Sequence, residues 1–550
     1  MIKSRQQRRR GGVALNRRAL LKIAAATAAA GAASGLPGAE LLAAPKRGGT
    51  VVLLIQPEVP TLATYLSTSS PASQAGTKFY DGLLDYDFDL KPRPSLAKSW
   101  TVSGDGKTIT FELQESVTFH DGKPFTSADV KFSILEVLKK YHPRGAANFG
   151  EVEEIETPDA HTAIFKLRNP APYLMKSLSN YEAPMLPKHL FEGTDIPRNE
   201  HANAPVGTGP YKFVEWKRGQ YIRADRYKDY WNKGLPYLDR VVMRTIPDSA
   251  TRTAVIEKGE VSIAGFGAVP YSDAVTLGKD KSLVVTRKGY EMLSPIAQID
   301  FDTTRPPFND VRVRQAVAYA IDRKFVIDNI WFGFGKPATG PISSNFKASG
   351  LYTDQVKSYN VPNGLEIADK LLDEAGHKRK ADGTRFEVVH DITPYGEEWQ
   401  RFGEYMAQRL EKLGIKLKLR YEDVATWLRR IYTDYDFQMT SNWLNTFADP
   451  VIGVHRMYHS RMIKKGTVFV NESRWHSDKT DALMDKATVE PDAKKRAELY
   501  HEFQRLVVEA VPITWVLEIQ FPTIYNAKFS DLITGGLGIL TNFDRAHLSA

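Results

Sequence analysis

Between residues 385 and 443 strand and helix patterns alternate at a spacing that admits essentially one arrangement, and no other stretch of the chain restricts the fold so tightly. Residues 385–390 read as a strand, 397–413 as a helix ended by Gly414, 415–421 as a strand alternating Ile415, Leu417 and Leu419, 424–432 as a helix, and 437–443 as a third strand. Right-handed crossovers make three such strands parallel members of one sheet. Ligands of such sheets lie beyond the carboxyl ends of the strands. Those ends are residues 391–395, the pair Glu422-Asp423, and the run from Asn442 to Asp449. Trp443 and Phe447 supply flat apolar surface there, and Asn442, Asn445, Thr446 and Asp449 supply hydrogen-bonding groups, the mixture a small-molecule cleft needs. The competing role for Trp443 is plain core packing.

The rest of the chain is read more coarsely. A strand is expected over 50–55, and a hairpin over 99–113 that turns at Ser103-Gly104-Asp105-Gly106. A helix is expected over 127–141 with Thr126 as N-cap and Asp129 completing a capping box. One long helix is expected over 310–331, with Val313, Val317, Ala320, Ile321 and Ile327 near one stripe. Residues 187–285 are strand-rich and punctuated by Gly and Pro.

The first 44 residues have the order of an export leader of the twin-arginine kind: a basic stretch with the pair Arg17-Arg18, an alanine-rich apolar run over 19–33, then small residues to Ala44. The apolar run is too short and too rich in Ala and Gly for a membrane span. Cleavage near 39–44 leaves 66 basic and 64 acidic residues, so the charge of +9 belongs mostly to the leader and carries no argument for nucleic acid. There are no cysteines, which excludes thiol catalysis, a disulfide framework and a lipid anchor on an N-terminal cysteine. The expected site of action is the periplasm.

Catalytic motifs fail. Gly106-Lys107-Thr108 ends like a phosphate-binding loop, but Thr101 stands where the first Gly is needed, and the segment is a hairpin turn. Ser95-Leu96-Ala97-Lys98 matches Ser-x-x-Lys without the companion motifs of penicillin-binding enzymes. His455 and His459 are four apart, but Arg456 stands between them where a cation works against a divalent metal. No catalytic residue, no metal site and no cofactor is assigned.

A further set of motifs covers nearly all of residues 45–550. Tyr80-Asp81-Gly82-Leu83-Leu84, Pro94-Ser95-Leu96-Ala97 through Trp100, Asp105-Gly106-Lys107 through Phe111, and Phe119-His120-Asp121-Gly122-Lys123-Pro124 with Ala128-Asp129-Val130 come first. Gly207-Thr208-Gly209-Pro210-Tyr211, Tyr230-Trp231, and Pro307-Phe308-Asn309-Asp310-Val311-Arg312 through Ala320-Ile321-Asp322-Arg323 follow. In this order they resemble the family 5 extracellular solute-binding proteins, the peptide and nickel type receptors of ABC importers. Asp302 departs from the pattern, where the family more often has Asn.

The resemblance implies an α/β, two-lobed periplasmic binding protein fold of the large type II cluster, with mixed sheets, a hinge of two strands and an extra small domain. It divides the chain into a signal peptide (1–44), lobe I (45–83), the extra domain of lobe I (84–186), lobe I again (187–285), lobe II (286–515) and a C-terminal segment of lobe I (516–550). It implies a monomeric receptor that delivers a small-molecule solute to ABC permease subunits served by separate ATPases, with no nucleic acid partner. His120-Asp121-Gly122 is then a structural turn.

In peptide-binding relatives an Asp three residues after the Trp takes the ligand's α-ammonium. Here Thr446 stands at that spacing, and a neutral Thr cannot supply the charge-assisted bond a buried ammonium needs. Asp449, Glu422 and Glu291 are the acids considered in its place. For an anionic end of the solute the candidates are the helix start near Gly396, Arg401 and Arg456. Tyr65, Tyr290, Tyr395 and Trp399 are expected packing surfaces beside Trp443, Asn445 and Phe447. A peptide, or a peptide-like or opine-like solute, is the favoured cargo; an oligosaccharide and a metal or metal chelate are the alternatives.

Overall fold

The strand Thr50–Ile55 becomes the centre of a sheet because its buried face is continuous from Leu53 to Ile55, and strands join it on both sides. In the computed structural model, which describes residues 45–549, it pairs parallel with Arg240–Thr245 on one side and with Ile263–Ala264 on the other. The complete sheet has seven strands in the order Leu283–Thr286, Thr523–Asn526, Ile263–Ala264, Thr50–Ile55, Arg240–Thr245, Tyr221–Arg226 and Tyr211–Lys217. The expected leader lies outside the described residues.

The second large sheet contains the alternating segment. Its order is Gly335–Pro337, Ile513–Ile519, Pro295–Phe301, Met439–Asn445, Phe386–Ile392 and Ile415–Tyr421. The last three strands are parallel, while Pro295–Phe301 runs antiparallel to Met439–Asn445 in the register Pro295↔Asn445 through Phe301↔Met439. Helix Glu397–Glu411 packs on this unit through Trp399, Phe402, Met406 and Leu410, and Gly414 leaves it at φ +76°. Among the described residues only two connections join the two sheets, 287–294 and 520–522. The strand Ile513–Ile519 lies wholly in the second sheet, so the boundary expected at 515/516 falls inside it.

A four-stranded antiparallel sheet, Ala97–Val102, Thr108–Leu113, Thr162–Leu167 and Val152–Asp159, forms a separate small unit. The helix that follows Thr126 has the expected capping box: the Thr126 N–H donates to Asp129 Oδ2 at 2.8 Å. It runs to Tyr141 through a π-helical stretch, Phe132–Leu138.

The long helix expected over 310–331 is two helices, Val311–Ala320 and Arg323–Asn329. Asp322 breaks it by acting as a new N-cap, accepting from the Phe325 N–H at 2.9 Å. The buried Arg323 guanidinium locks the break by donating to Trp515 O at 2.7 Å and to Ala318 O at 3.3 Å. An apolar stripe is blind to this, because both helices bury the same side.

The motif residues of the first lobe meet around one carboxylate. Asp81 accepts from Trp231 Nε1 at 2.8 Å and from Asn542 Nδ2 at 2.7 Å, and burial pushes its carboxyl up to about 7. Gly82 is required beside it, since a Cβ there would lie 2.4 Å from the Ser179 carbonyl carbon. His120 is likewise structural: its ring bonds Gly209 O (2.9 Å) and receives the Gly207 N–H (3.2 Å).

Candidate functional site

Strand Met439–Asn445 delivers its last residues to the seam between the two lobes. As the chain leaves the strand, the Thr446 N–H donates to Ser294 O (3.2 Å) and the Phe447 N–H to Leu293 O (2.9 Å). The carboxyl end of the strand is thus stapled to the connection 287–294. Thr446 Oγ1 donates to the same Ser294 carbonyl at 2.9 Å, and the side chain is buried. The Thr446 hydroxyl therefore ties the strand end to the hinge connection. Thr446→Val is expected to cost about 1 kcal/mol of stability, the worth of one such bond, with solute affinity unchanged; urea unfolding and calorimetric titration check both.

Phe447 adopts φ +54°, a left-handed conformation that costs a non-glycine residue roughly 1–2 kcal/mol. Its ring lies beneath two guanidinium groups that approach from opposite lobes. Arg144, from the small unit of the first lobe, sits 4.3 Å from the ring centroid, and Arg456, from the second lobe, sits 5.4 Å from it. Helix Gly145–Phe149 packs on Pro450–Gly453 next to this point, so the lobes are in contact here.

The two arginines differ in their partners. Arg144 forms a bidentate pair with Glu182 (Nη2–Oε1 2.6 Å, Nε–Oε2 3.0 Å), and Asn148 Nδ2 adds a bond of 2.7 Å to the same carboxylate. Burial pushes the Glu182 carboxyl up, but the Arg144 charge and these bonds hold it below the ordinary range. Arg456 donates only to backbone carbonyls, of Gly453 (3.2 Å) and Asn445 (3.4 Å), and pairs with no carboxylate among the described residues. Burial and the neighbouring Arg144 bring it down to about 10, so it remains cationic at neutral pH. Asn445 Oδ1, beside it, is buried without a hydrogen-bond partner.

An aromatic wall continues from these groups toward the hinge. The half-buried Trp443 ring meets Phe521 edge-on at 5.6 Å, and Phe521 meets Tyr290 at 5.4 Å and Phe266 at 5.9 Å. Tyr290 is fixed by its hydroxyl, which bonds Thr523 Oγ1 (2.8 Å) and receives the Phe266 N–H (2.9 Å). Both interlobe connections thus contribute a ring to one surface. Tyr395, 40% exposed, stands at the carboxyl end of the neighbouring strand, edge-on to Trp427 at 6.2 Å.

Several expected residues lie elsewhere. Tyr65 is fully buried against Phe191, and Trp399 is buried against Trp331, so both are core rings rather than cleft surfaces. Asp449 caps helix Pro450–Gly453 and takes both arms of Arg496 (2.7 and 2.8 Å), facing a different interlobe cavity of about 170 Å³ lined by Lys176, Leu90, Phe346 and Leu351. Glu422 is held by Arg430 (2.6 Å), and Glu291 accepts the Gly289 N–H (2.8 Å) at the hinge. The helix start at Gly396 is closed by the chain itself, since a Cβ at 396 would lie 2.5 Å from a Glu398 carboxylate oxygen, and Arg401 pairs with Glu397 (2.8 Å). His455 and His459 bond Tyr500 and Asp485, respectively. Of the expected residues, Trp443, Asn445, Phe447, Tyr290 and Arg456 come together; Arg144, Phe266 and Phe521 join them and carry no sequence signal that marks them.

Residues 91–465 match the family model described as bacterial extracellular solute-binding proteins, family 5. The chain belongs to this family. Among family 5 relatives, the oligopeptide-binding protein AppA of Bacillus subtilis is 27% identical over 491 residues, 86% of each chain. The glutathione-binding protein GsiB of Pectobacterium atrosepticum is 30% identical over 376 residues, 66% of this chain and 68% of its own. The structure of AgaA from A. tumefaciens R10 in complex with agropinic acid is 27% identical, covers 91% of this chain and 99% of its own, and superposes with a TM-score of 0.73. The two-lobed fold and the role of solute-binding receptor of an ABC importer follow from family 5 membership. No helix among the described residues is long and apolar enough to cross a membrane.

Proposed function

We propose that this receptor captures a peptide or opine-like solute carrying at least one carboxylate, and that Arg456, with Arg144 behind it, receives that carboxylate between the lobes. The observation that carries the reading is the half-buried Arg456 guanidinium without a counter-ion among the described residues at the interlobe seam. An unpaired charge in such a place is costly unless a ligand completes it. Arg144 is itself neutralised by Glu182, so of the two guanidinium groups over Phe447 it is Arg456 that leaves room for one anionic group. Trp443, Phe521 and Phe266 supply the apolar wall and Asn445 Oδ1 an open acceptor for the remainder of the solute. The oligopeptides, glutathione and agropinic acid for which relatives are named all carry a carboxyl group, which supports the same class.

Ligand touching both lobes favours the closed form by its differential affinity. The closed, monomeric receptor then docks on the permease, and ATP is hydrolysed by separate subunits. The division into lobes proposed here places 84–186 in the small unit, with the chain crossing between lobes over 287–294 and 520–522. Export by the twin-arginine route puts this activity in the periplasm.

Trp443→Ala tests the cleft. Cognate binding measured by calorimetry is expected to weaken more than tenfold, since a large aromatic contact is lost, while thermal melting stays near that of the parent. Wild-type affinity in this variant would place the solute elsewhere.

A further inference from the structure

The cavity that Asp449 faces takes no part in the reading above. Its walls come from both sides of the seam: Leu90, Pro172 and Lys176 from the 84–186 segment, and Phe346, Leu351 and Ala448 from the second lobe. Leu90, Phe346, Leu351 and Ala448 are buried, so most of the wall is apolar. At about 170 Å³ the chamber holds a group about as large as a benzene ring. Ala448 directly follows Phe447, so the chamber begins one residue from the ring on which Arg144 and Arg456 sit.

The charges that line this chamber cancel except for one. Asp449 takes both arms of Arg496 (2.7 and 2.8 Å) and the Val451 N–H (3.0 Å). Asp89, exposed at the mouth, ion-pairs with Lys91 at 3.6 Å. The neutral polar groups are also engaged: Asn345 Nδ2 donates to Ser294 Oγ (3.0 Å), and Ser349 Oγ donates to Phe346 O (2.9 Å). Lys176 is what remains. Its half-buried ammonium donates to the Leu90 carbonyl and forms no ion pair among the described residues, so one of its three donors has a protein acceptor. Leu90 presents that carbonyl from a left-handed φ of +60°, a conformation a non-glycine residue keeps only where its surroundings hold it. A single uncompensated cation among apolar walls selects an anionic group attached to an apolar one.

We propose that this chamber is a second subsite of the solute cleft, taking an apolar side chain next to a carboxylate, with Lys176 as the group that receives the carboxylate. The assignment to the solute rests on the carboxylate-bearing molecule proposed above; the chemistry of the chamber does not. Together the two sites narrow that class to molecules with two carboxylates, one for Arg456 and one, beside an apolar group, for Lys176. Because the walls belong to both sides of the seam, a group lodged here meets all of them only when the lobes are closed. It therefore adds to the differential affinity that drives closure.

Calorimetry on the full mature chain tests the subsite with isovalerate, a branched apolar carboxylate, and its neutral isostere isovaleramide as probes. The Arg456→Met background removes the other candidate anchor, so the outcome does not depend on the reading of Arg456. In that background isovalerate is expected to bind about tenfold or more tighter than isovaleramide. Adding Lys176→Met, which keeps the length of the side chain and removes its charge, is expected to abolish the preference. Ala493→Trp, at an exposed position on the mouth of the chamber, is expected to weaken isovalerate about tenfold or more by filling the space. Equal affinity for acid and amide, or a preference that survives Lys176→Met, overturns the inference. If Lys176→Met does not fold, the comparison of acid with amide and the Ala493→Trp variant decide. In the wild type the dipeptide glutamyl-leucine, which has two carboxylates and an apolar end, is expected to displace isovalerate. Both bound at once would overturn the assignment of the chamber to the solute.

Discussion

Replacing Arg456 by methionine is expected to weaken binding of a carboxylate-bearing solute by about a hundredfold or more, the largest loss of any single change in the cleft. Truncating one partner of a desolvated, hydrogen-bonded charge pair typically costs about 2–5 kcal/mol, and each 1.4 kcal/mol is about tenfold. The fold should survive, because Arg456 donates only to carbonyls of Gly453 and Asn445 and a methionine still covers the Phe447 ring. Isothermal calorimetry with thermal melting separates the two effects. Unchanged affinity in a folded variant would remove Arg456 from the site.

The second large effect concerns stability rather than binding. Glu182→Ala leaves the Arg144 guanidinium, only 11% exposed, without the carboxylate that neutralises it, and loss of one partner of a buried pair costs about 3–5 kcal/mol. Asn148 also loses its acceptor. Urea unfolding of Glu182→Ala should reveal that deficit, and the double variant Arg144→Met with Glu182→Gln should recover a good part of it, since no unpaired charge remains. A loss below about 1 kcal/mol in the single variant would mean that solvent reaches Arg144 freely.

The second lobe was the most legible part of the chain. Its parallel strands were visible because period-two alternation in 415–421 and the helix stop at Gly414 are local signals, and the sheet order then placed Trp443 and Phe447 at a strand end facing the seam. The half of the site supplied by the first lobe was not legible. Arg144 reaches Phe447 across some 300 positions of sequence, and nothing in Pro143-Arg144-Gly145 marks it as other than a surface arginine. Phe266 and Phe521 were hidden for the same reason: their role depends on two connections meeting at the hinge.

Polar residues were misplaced where a local partner exists that sequence does not reveal. Asp449 looked like a ligand acid but is consumed by Arg496, 47 positions away, and Thr446 is consumed by Ser294. Asp302, the departure from the resemblance, is buried and ion-pairs with Arg474. Tyr65 and Trp399 failed as cleft residues because a large ring alone does not distinguish a wall from a core. The break at Asp322 in the expected long helix has the same origin, a capping side chain inside a continuous apolar stripe.

The central claim is that a carboxylate of the solute completes the charge of Arg456 between the lobes. Native mass spectrometry of the mature protein purified from its own host, with identification of the small molecule released on denaturation, tests it most directly. The account predicts a peptide, amino-acid conjugate or opine-like molecule bearing at least one carboxylate, present in the wild type and lost from Arg456→Met. A neutral sugar, or a carboxylate-free solute retained by the variant, would contradict it.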